Sequence, residues 1–141
     1  MAAAGAVEFP GVFRRLASLC YETLLALGFL AVALLLPHIL IGHFLHRLAT
    51  PLVLWAHLFL ALLIYFVGFW TRKGQTLAMR TWRIRLENRE GRAPRPAQAL
   101  LRYLLCWPSF GLFGIGIFWA WLDPDRQFLH DRLAGTRIVF C

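Results

Sequence analysis

"LLRYLLCWPSFGLFGIGIFWAWL", residues 100–122, decides the fold. It is long enough to cross a bilayer, which takes about 20 apolar residues. Yet Pro108, Gly111, Gly114 and Gly116 interrupt its middle. One reading is a single kinked span, since Pro and Gly are tolerated in membrane helices. The other is a broken or re-entrant hairpin with both ends on the cytoplasmic side. The residues that follow bear on the choice. "GTRIVF" (135–140) is a β-like run, and Arg126, Arg132 and Arg137 accompany it. A strand cannot lie unpaired in lipid, and basic residues favour the cytoplasmic side. The C-terminus is therefore expected in the cytoplasm, with both readings of residues 100–122 open.

Working outward, the whole chain is apolar. Its 141 residues are 60% hydrophobic, with mean hydropathy +0.61. A soluble domain uses roughly 45–50% apolar residues, and so small a chain could not bury the excess. An all-α integral membrane protein with three apolar segments and a short cytoplasmic β element is expected. The formal charge of +8 rests on 15 Lys and Arg, of which Lys73 is the one lysine. These residues mostly flank apolar runs, which suits anionic inner-leaflet lipids rather than nucleic acid. Cys20, Cys106 and Cys141 are odd in number and far apart. They indicate neither a disulfide framework nor a thiolate metal site, and Cys20 and Cys106 read as small core hydrophobes.

Residues 1–13 form an Ala/Gly-rich lead-in, loose or interfacial, and 14–141 one transmembrane domain. The first apolar segment, residues 16–37, is too long for a signal-peptide core and reads as an uncleaved span. The second covers residues 51–70, with Thr50 as cap, Pro51 at the first helical position, and Trp55 and Trp70 as headgroup-level anchors. The third is 100–122; a basic loop, 71–99, precedes it and a tail, 123–141, follows. Residues 71–102 hold nine Lys and Arg against Glu87 and Glu90, whereas residues 38–50 hold only Arg47. Positive-inside counting puts the N-terminus and the basic loop in the cytoplasm of a bacterial-type inner membrane, and residues 38–50 outside. Inside the loop, Trp82, Ile84 and Leu86 alternate with Arg83, Arg85 and Glu87, so a short strand is expected, turning at "NREG" (88–91) and pairing with "GTRIVF".

Glu22 is the first residue that could carry chemistry. A carboxylate within a span needs water, a proton or a cationic partner. Arg15 shares its helix face two turns away, too far for a standard i,i+4 pair. Glu22 reads equally as an ion or proton site and as a structural carboxyl. Tyr65, on the antiparallel second segment, falls near the depth of Glu22; it reads as a hydrogen-bond donor or, more simply, as an interfacial aromatic. His57 lies nearer the outer end and reads as a packing residue. His43 and His46, at i,i+3, lack a carboxylate or thiolate to complete a metal site. In the tail, His130 and Asp131 evoke a catalytic pair. But Ser18 and Ser109 are the only serines, with no nucleophile elbow, phosphate loop or HExxH pattern. No enzyme, metal or cofactor is expected.

The chain resembles the RDD family of small membrane proteins, named for one arginine and two aspartates. "RRLASLCYETLL" (14–25) supplies Arg15 and, seven residues on, Glu22 where the family has Asp. "GQTLAMRTWRIRLEN" (74–88) matches the middle motif, with Ala78 where Gly is common. Arg102 opens the third segment, and "LHDRLAGTRIV" (129–139) supplies the second acid, Asp131, with His130 and Thr136 beside it. The resemblance implies a transport-related role, cation/proton antiport having been attributed to some members. Two functions follow as expectations. One is cation/proton exchange, or carriage of another ligand, by a homo-oligomer. The other is a scaffold that engages other membrane proteins, in which Arg15, Glu22, Arg102 and Asp131 lock the helices. In either, Asp131 is expected to meet Arg102 or Arg15 and close the cytoplasmic side.

Overall fold

The computed structural model describes residues 8–112 and 114–141, apart from the Phe110 side chain; residues 1–7 of the expected lead-in lie outside this range. The helices are α1 (Val12–Leu30), α2 (Leu36–Leu45), α3 (Pro51–Lys73), α4 (Leu77–Thr81), α5 (Pro96–Gly111), α6 (Ile115–Leu122) and α7 (Leu129–Ala134); the strands are β1 (Ile84–Asn88) and β2 (Thr136–Phe140).

Two helices are long and apolar enough to cross a membrane: Val12–Leu45, of 34 residues, and Pro51–Lys73, of 23. The first was expected to end at Pro37, but it continues through that proline to Leu45. A π-helical turn at Ala31–Leu35 precedes Pro37, which then sits in the first turn of α2. Proline has no N–H to bond a carbonyl one turn back, and the widened turn before it accommodates that missing bond within the continuous helix. The expected outer loop of residues 38–50 shrinks accordingly, and His46 closes the helix in the left-handed conformation. Thr50 caps α3 as expected, its hydroxyl accepting from Val53 N at 3.5 Å. Both long helices expose most of their side chains, Ile64 and Phe44 being 72% accessible. Such faces suit lipid or other apolar partners.

The third apolar segment is not one spanning helix. It breaks between α5 and α6, and α6 turns back on α5. The measure is Gly116, where an added Cβ would fall 1.5 Å from Ser109 Oγ. Seven residues along a straight helix would separate the two by about 10 Å. Gly114, at φ 72°, makes the reversal, a conformation that favours glycine. Both ends of the segment lead to the same sheet. β1 and β2 pair antiparallel from Ile84↔Phe140 to Asn88↔Thr136, the pairing the alternating pattern implied. The turn after β1 is held by Asn88 Oδ1, which accepts from Glu90 N and Arg92 N.

The core sits at this sheet end rather than between the long helices. Trp70, Met79, Ile84, Leu86, Ala99, Tyr103 and Ile138 form its main cluster, and Val12, Ala120 and Phe128 a smaller one. Trp70, expected at headgroup level, is buried instead at 3% accessibility. Cys20, expected in the core, is exposed, while Cys106 is half-buried against the main cluster.

Candidate functional site

The site lies where α1, α3, α4, α5 and α7 meet. Gly74 builds one wall. It ends α3 at φ 67°, and its carbonyl accepts from Leu86 N at 2.6 Å. The chain thereby reverses and brings Thr76 back as the cap of α4. Thr76 Oγ1 accepts from Met79 N at 3.3 Å and donates to Glu22 Oε2. Tyr65, on α3, donates to Glu22 Oε1 at 3.0 Å. Both carboxylate oxygens of Glu22, on a long apolar helix, are thus held by hydroxyls from the following elements, and Glu22 is 7% exposed. Sequence reasoning placed Tyr65 at the right depth. It missed Thr76, whose signal was available: a hydroxyl two residues after a C-capping glycine, starting a short helix.

The other wall is the tail. α7 runs from Leu129 to Ala134 and is capped by Gly135, whose φ of 72° lets β2 depart. Its inward residues are His130 and Asp131, 1% and 0% exposed. Arg102 Nε donates to Asp131 Oδ1 at 2.5 Å, and the Arg102 guanidinium carbon lies 4.2 Å from the Trp70 ring centroid. Of the two expected partners of Asp131, Arg102 makes the contact. Thr136 also faces inward, but its hydroxyl donates to the Asp131 backbone carbonyl at 3.3 Å, so it ties α7 to β2 and leaves the carboxylate alone.

His130 neighbours both Asp131 and Ser109. Its Nε2 stands 3.9 Å from Asp131 Oδ2, beyond hydrogen-bonding range. Its Nδ1 lies 3.2 Å from Ser109 Oγ, a neighbour the sequence did not point to. Burial pushes the His130 imidazole down to about 4, against the pull of Asp131, so it is neutral at pH 7. The ring packs in the wedge between α5 and α7, beside a largely apolar cavity of about 110 Å³ that Leu105, Leu112 and Leu133 also line.

Arg15 is the remaining charge. It is 1% exposed, its guanidinium carbon 5.8 Å from the Phe128 ring centroid. Its three side-chain nitrogens find no hydrogen-bond partner among the described residues; the same holds for Trp70 Nε1 and Asp131 Oδ2. Arg15, Glu22, Thr76, Trp70 and Arg102 line one cavity of about 40 Å³.

His38 and His57 stand apart from this cluster. His57 Nδ1 and His38 Nε2 lie 3.1 Å apart across α2 and α3. Among the described residues, no three His, Cys, Asp or Glu side chains gather to hold a metal.

Two arginines and two acids, arriving from α1, α5 and α7 in motif order, make the arrangement that the family motifs describe. Residues 9–135 match the RDD family. The chain belongs to the RDD family. One curated relative, an uncharacterized protein of Rickettsia prowazekii (strain Madrid E), is 30% identical over 100 residues, covering 70% of this chain. The match spans 56% of that relative's length. No solved structure matches. The departure from the RDD motif, Glu22 in place of Asp, acquires a physical reading in this geometry. The longer side chain reaches from α1 to both Thr76 and Tyr65.

Proposed function

We propose that this RDD protein is a transport-related, multi-pass protein of a bacterial-type inner membrane, exchanging a cation for a proton or carrying another small ligand as an oligomer. The N-terminus, the basic loop and the C-terminus then lie on the cytoplasmic side, against anionic lipids. Nucleic acid, a cofactor and an enzymatic step have no part in this reading.

One observation carries it. A carboxylate on a spanning helix, Glu22, shares a cavity with Arg15, whose donors are unpartnered among the described residues. A cluster built only to lock helices is expected to satisfy its buried polar groups. One that holds or passes a small polar species leaves some of them to that species. Intramembrane ionisable groups mark such paths, and broken helices such as α5–α6 recur at transporter sites. The exposed faces of α1–α2 and α3 provide the area several copies would need to complete a path.

The test is reconstitution of the purified protein in liposomes and measurement of cation-driven proton flux. Flux is expected in the wild type and is lost in Glu22→Gln, which keeps one acceptor oxygen for Thr76 or Tyr65 but can neither ionise nor carry a proton. Absence of flux in the wild type, or full flux in Glu22→Gln, overturns the reading.

A second reading, a scaffold locked by its charges, is favoured by the buried Arg102–Asp131 contact. It gains if Arg15→Ala and Asp131→Ala both abolish accumulation of the protein. It loses if both variants accumulate normally without flux.

A further inference from the structure

We infer that the cavity between Arg15, Glu22, Trp70 and Arg102 binds a small monovalent anion. The inference rests on the transport reading in its second form, carriage of another small ligand, because it names an anion as what the same cluster holds.

The donor accounting comes first. Arg102 Nε is spent on Asp131 Oδ1. Each Glu22 oxygen already accepts one hydrogen bond, from Tyr65 or Thr76. Four donors, Arg15 Nε, Nη1 and Nη2 and Trp70 Nε1, have no hydrogen-bond partner among the described residues, against one unpartnered acceptor, Asp131 Oδ2, which does not line the cavity. Phe128 offers Arg15 only the face of a ring. A buried guanidinium without an acceptor is costly, and here a second unpartnered donor, Trp70, lines the same space. A cavity lined by surplus donors asks for an acceptor.

Charge and size narrow the class. Arg102 is neutralised by Asp131, which stands outside the lining, so the charges left facing the cavity are those of Arg15 and Glu22. A cation would meet the unpartnered guanidinium. A dianion would exceed the charge available and repel Glu22. The volume is about 40 Å³, against roughly 10–15 Å³ for a single water on the same measure. A halide or a small planar oxyanion fits both limits.

Glu22 then has a second consequence. It is a like charge in the anion's own cavity, so anion and ionised Glu22 disfavour each other. By linkage, neutralising position 22 must tighten the anion.

The test is thermal unfolding of the full chain in detergent, in sodium bromide against sodium gluconate at equal ionic strength. Bromide is expected to raise the melting temperature saturably, as a ligand of the folded state does, and the larger gluconate is not. Arg15→Gln abolishes the bromide effect and Trp70→Phe weakens it. Glu22→Gln tightens bromide about tenfold, the order expected for removal of a like charge at close range. Identical wild-type melting in the two salts overturns the inference, as does an unchanged bromide effect in Arg15→Gln. Should Arg15→Gln not fold, Glu22→Gln decides: bromide binding that is weakened or unmoved refutes an anion beside Glu22. Bromide binding without proton flux would sink the transport reading alone; flux without bromide binding would sink this inference alone.

Discussion

Arg102 Nε and Asp131 Oδ1 meet at 2.5 Å in a fully buried contact, 29 residues apart in the chain. That contact joins the third apolar segment to the tail, with Trp70 stacked on the guanidinium. Removing one partner strands the other charge. Arg102→Ala and Asp131→Ala are each expected to cost about 3–5 kcal/mol, whereas replacing both by leucine recovers much of the loss. Melting temperatures of the three variants in detergent check this. A double variant as unstable as the sum of the singles would show that the two residues act independently.

Thr76 has two tasks, as cap of α4 and as donor to Glu22. Thr76→Val loses both and is expected to destabilise by about 1–3 kcal/mol. Thr76→Ser retains both and stays near wild type. Tyr65→Phe removes a single hydrogen bond and falls between them. Chemical denaturation of the three proteins ranks them.

His130 makes stability pH-dependent. Its folded value lies at about 4 against 6.5 unfolded, so between these values the unfolded chain binds more protons. Stability is therefore complete above pH 6.5 and is lost as the pH falls towards 4, by about 3 kcal/mol in all. The chain holds four further histidines, so the contribution of His130 is read as a difference between proteins. Melting temperature is expected to decline from pH 6.5 to 5 in the wild type and to decline less in His130→Asn.

Gly74 tolerates no side chain. A Cβ there would lie 2.2 Å from the Leu86 carbonyl oxygen, and the residue sits at positive φ. Gly91, at φ 77°, has open space around it. Gly91→Ala is expected to cost only the conformational penalty of about 1 kcal/mol. Gly74→Ala costs more, because β1 must shift or the turn must open. Comparing urea midpoints of the two variants separates clash from conformation.

Cys141 reports the side on which the sheet lies. It is exposed, and Gln75 Nε2 lies 3.0 Å from its sulfur. With Cys20 and Cys106 replaced, an impermeant maleimide is expected to reach Cys141 from the same side as a cysteine at position 92. Labelling from opposite sides would contradict the β1–β2 pairing.

Some of this was determined by the sequence alone, and the reason is locality. The two long apolar helices, the Thr50–Pro51 start of α3, and the strands around Ile84 and Ile138 follow from apolar run length, alternation and capping chemistry, which act locally along the chain. The family charges Arg15, Glu22 and Asp131 were legible from motif spacing. Tertiary structure decided the rest. Whether residues 100–122 cross or fold back depended on Gly116 reaching Ser109 and on β2 pairing with β1. Arg102, not Arg15, makes the contact with Asp131; Thr76 reaches Glu22 across 54 residues and Tyr65 across 43. Such partnerships depend on how Gly74, Gly114 and Gly135 redirect the chain. A helix pattern reports which face is apolar; it does not report which distant group a buried charge will meet.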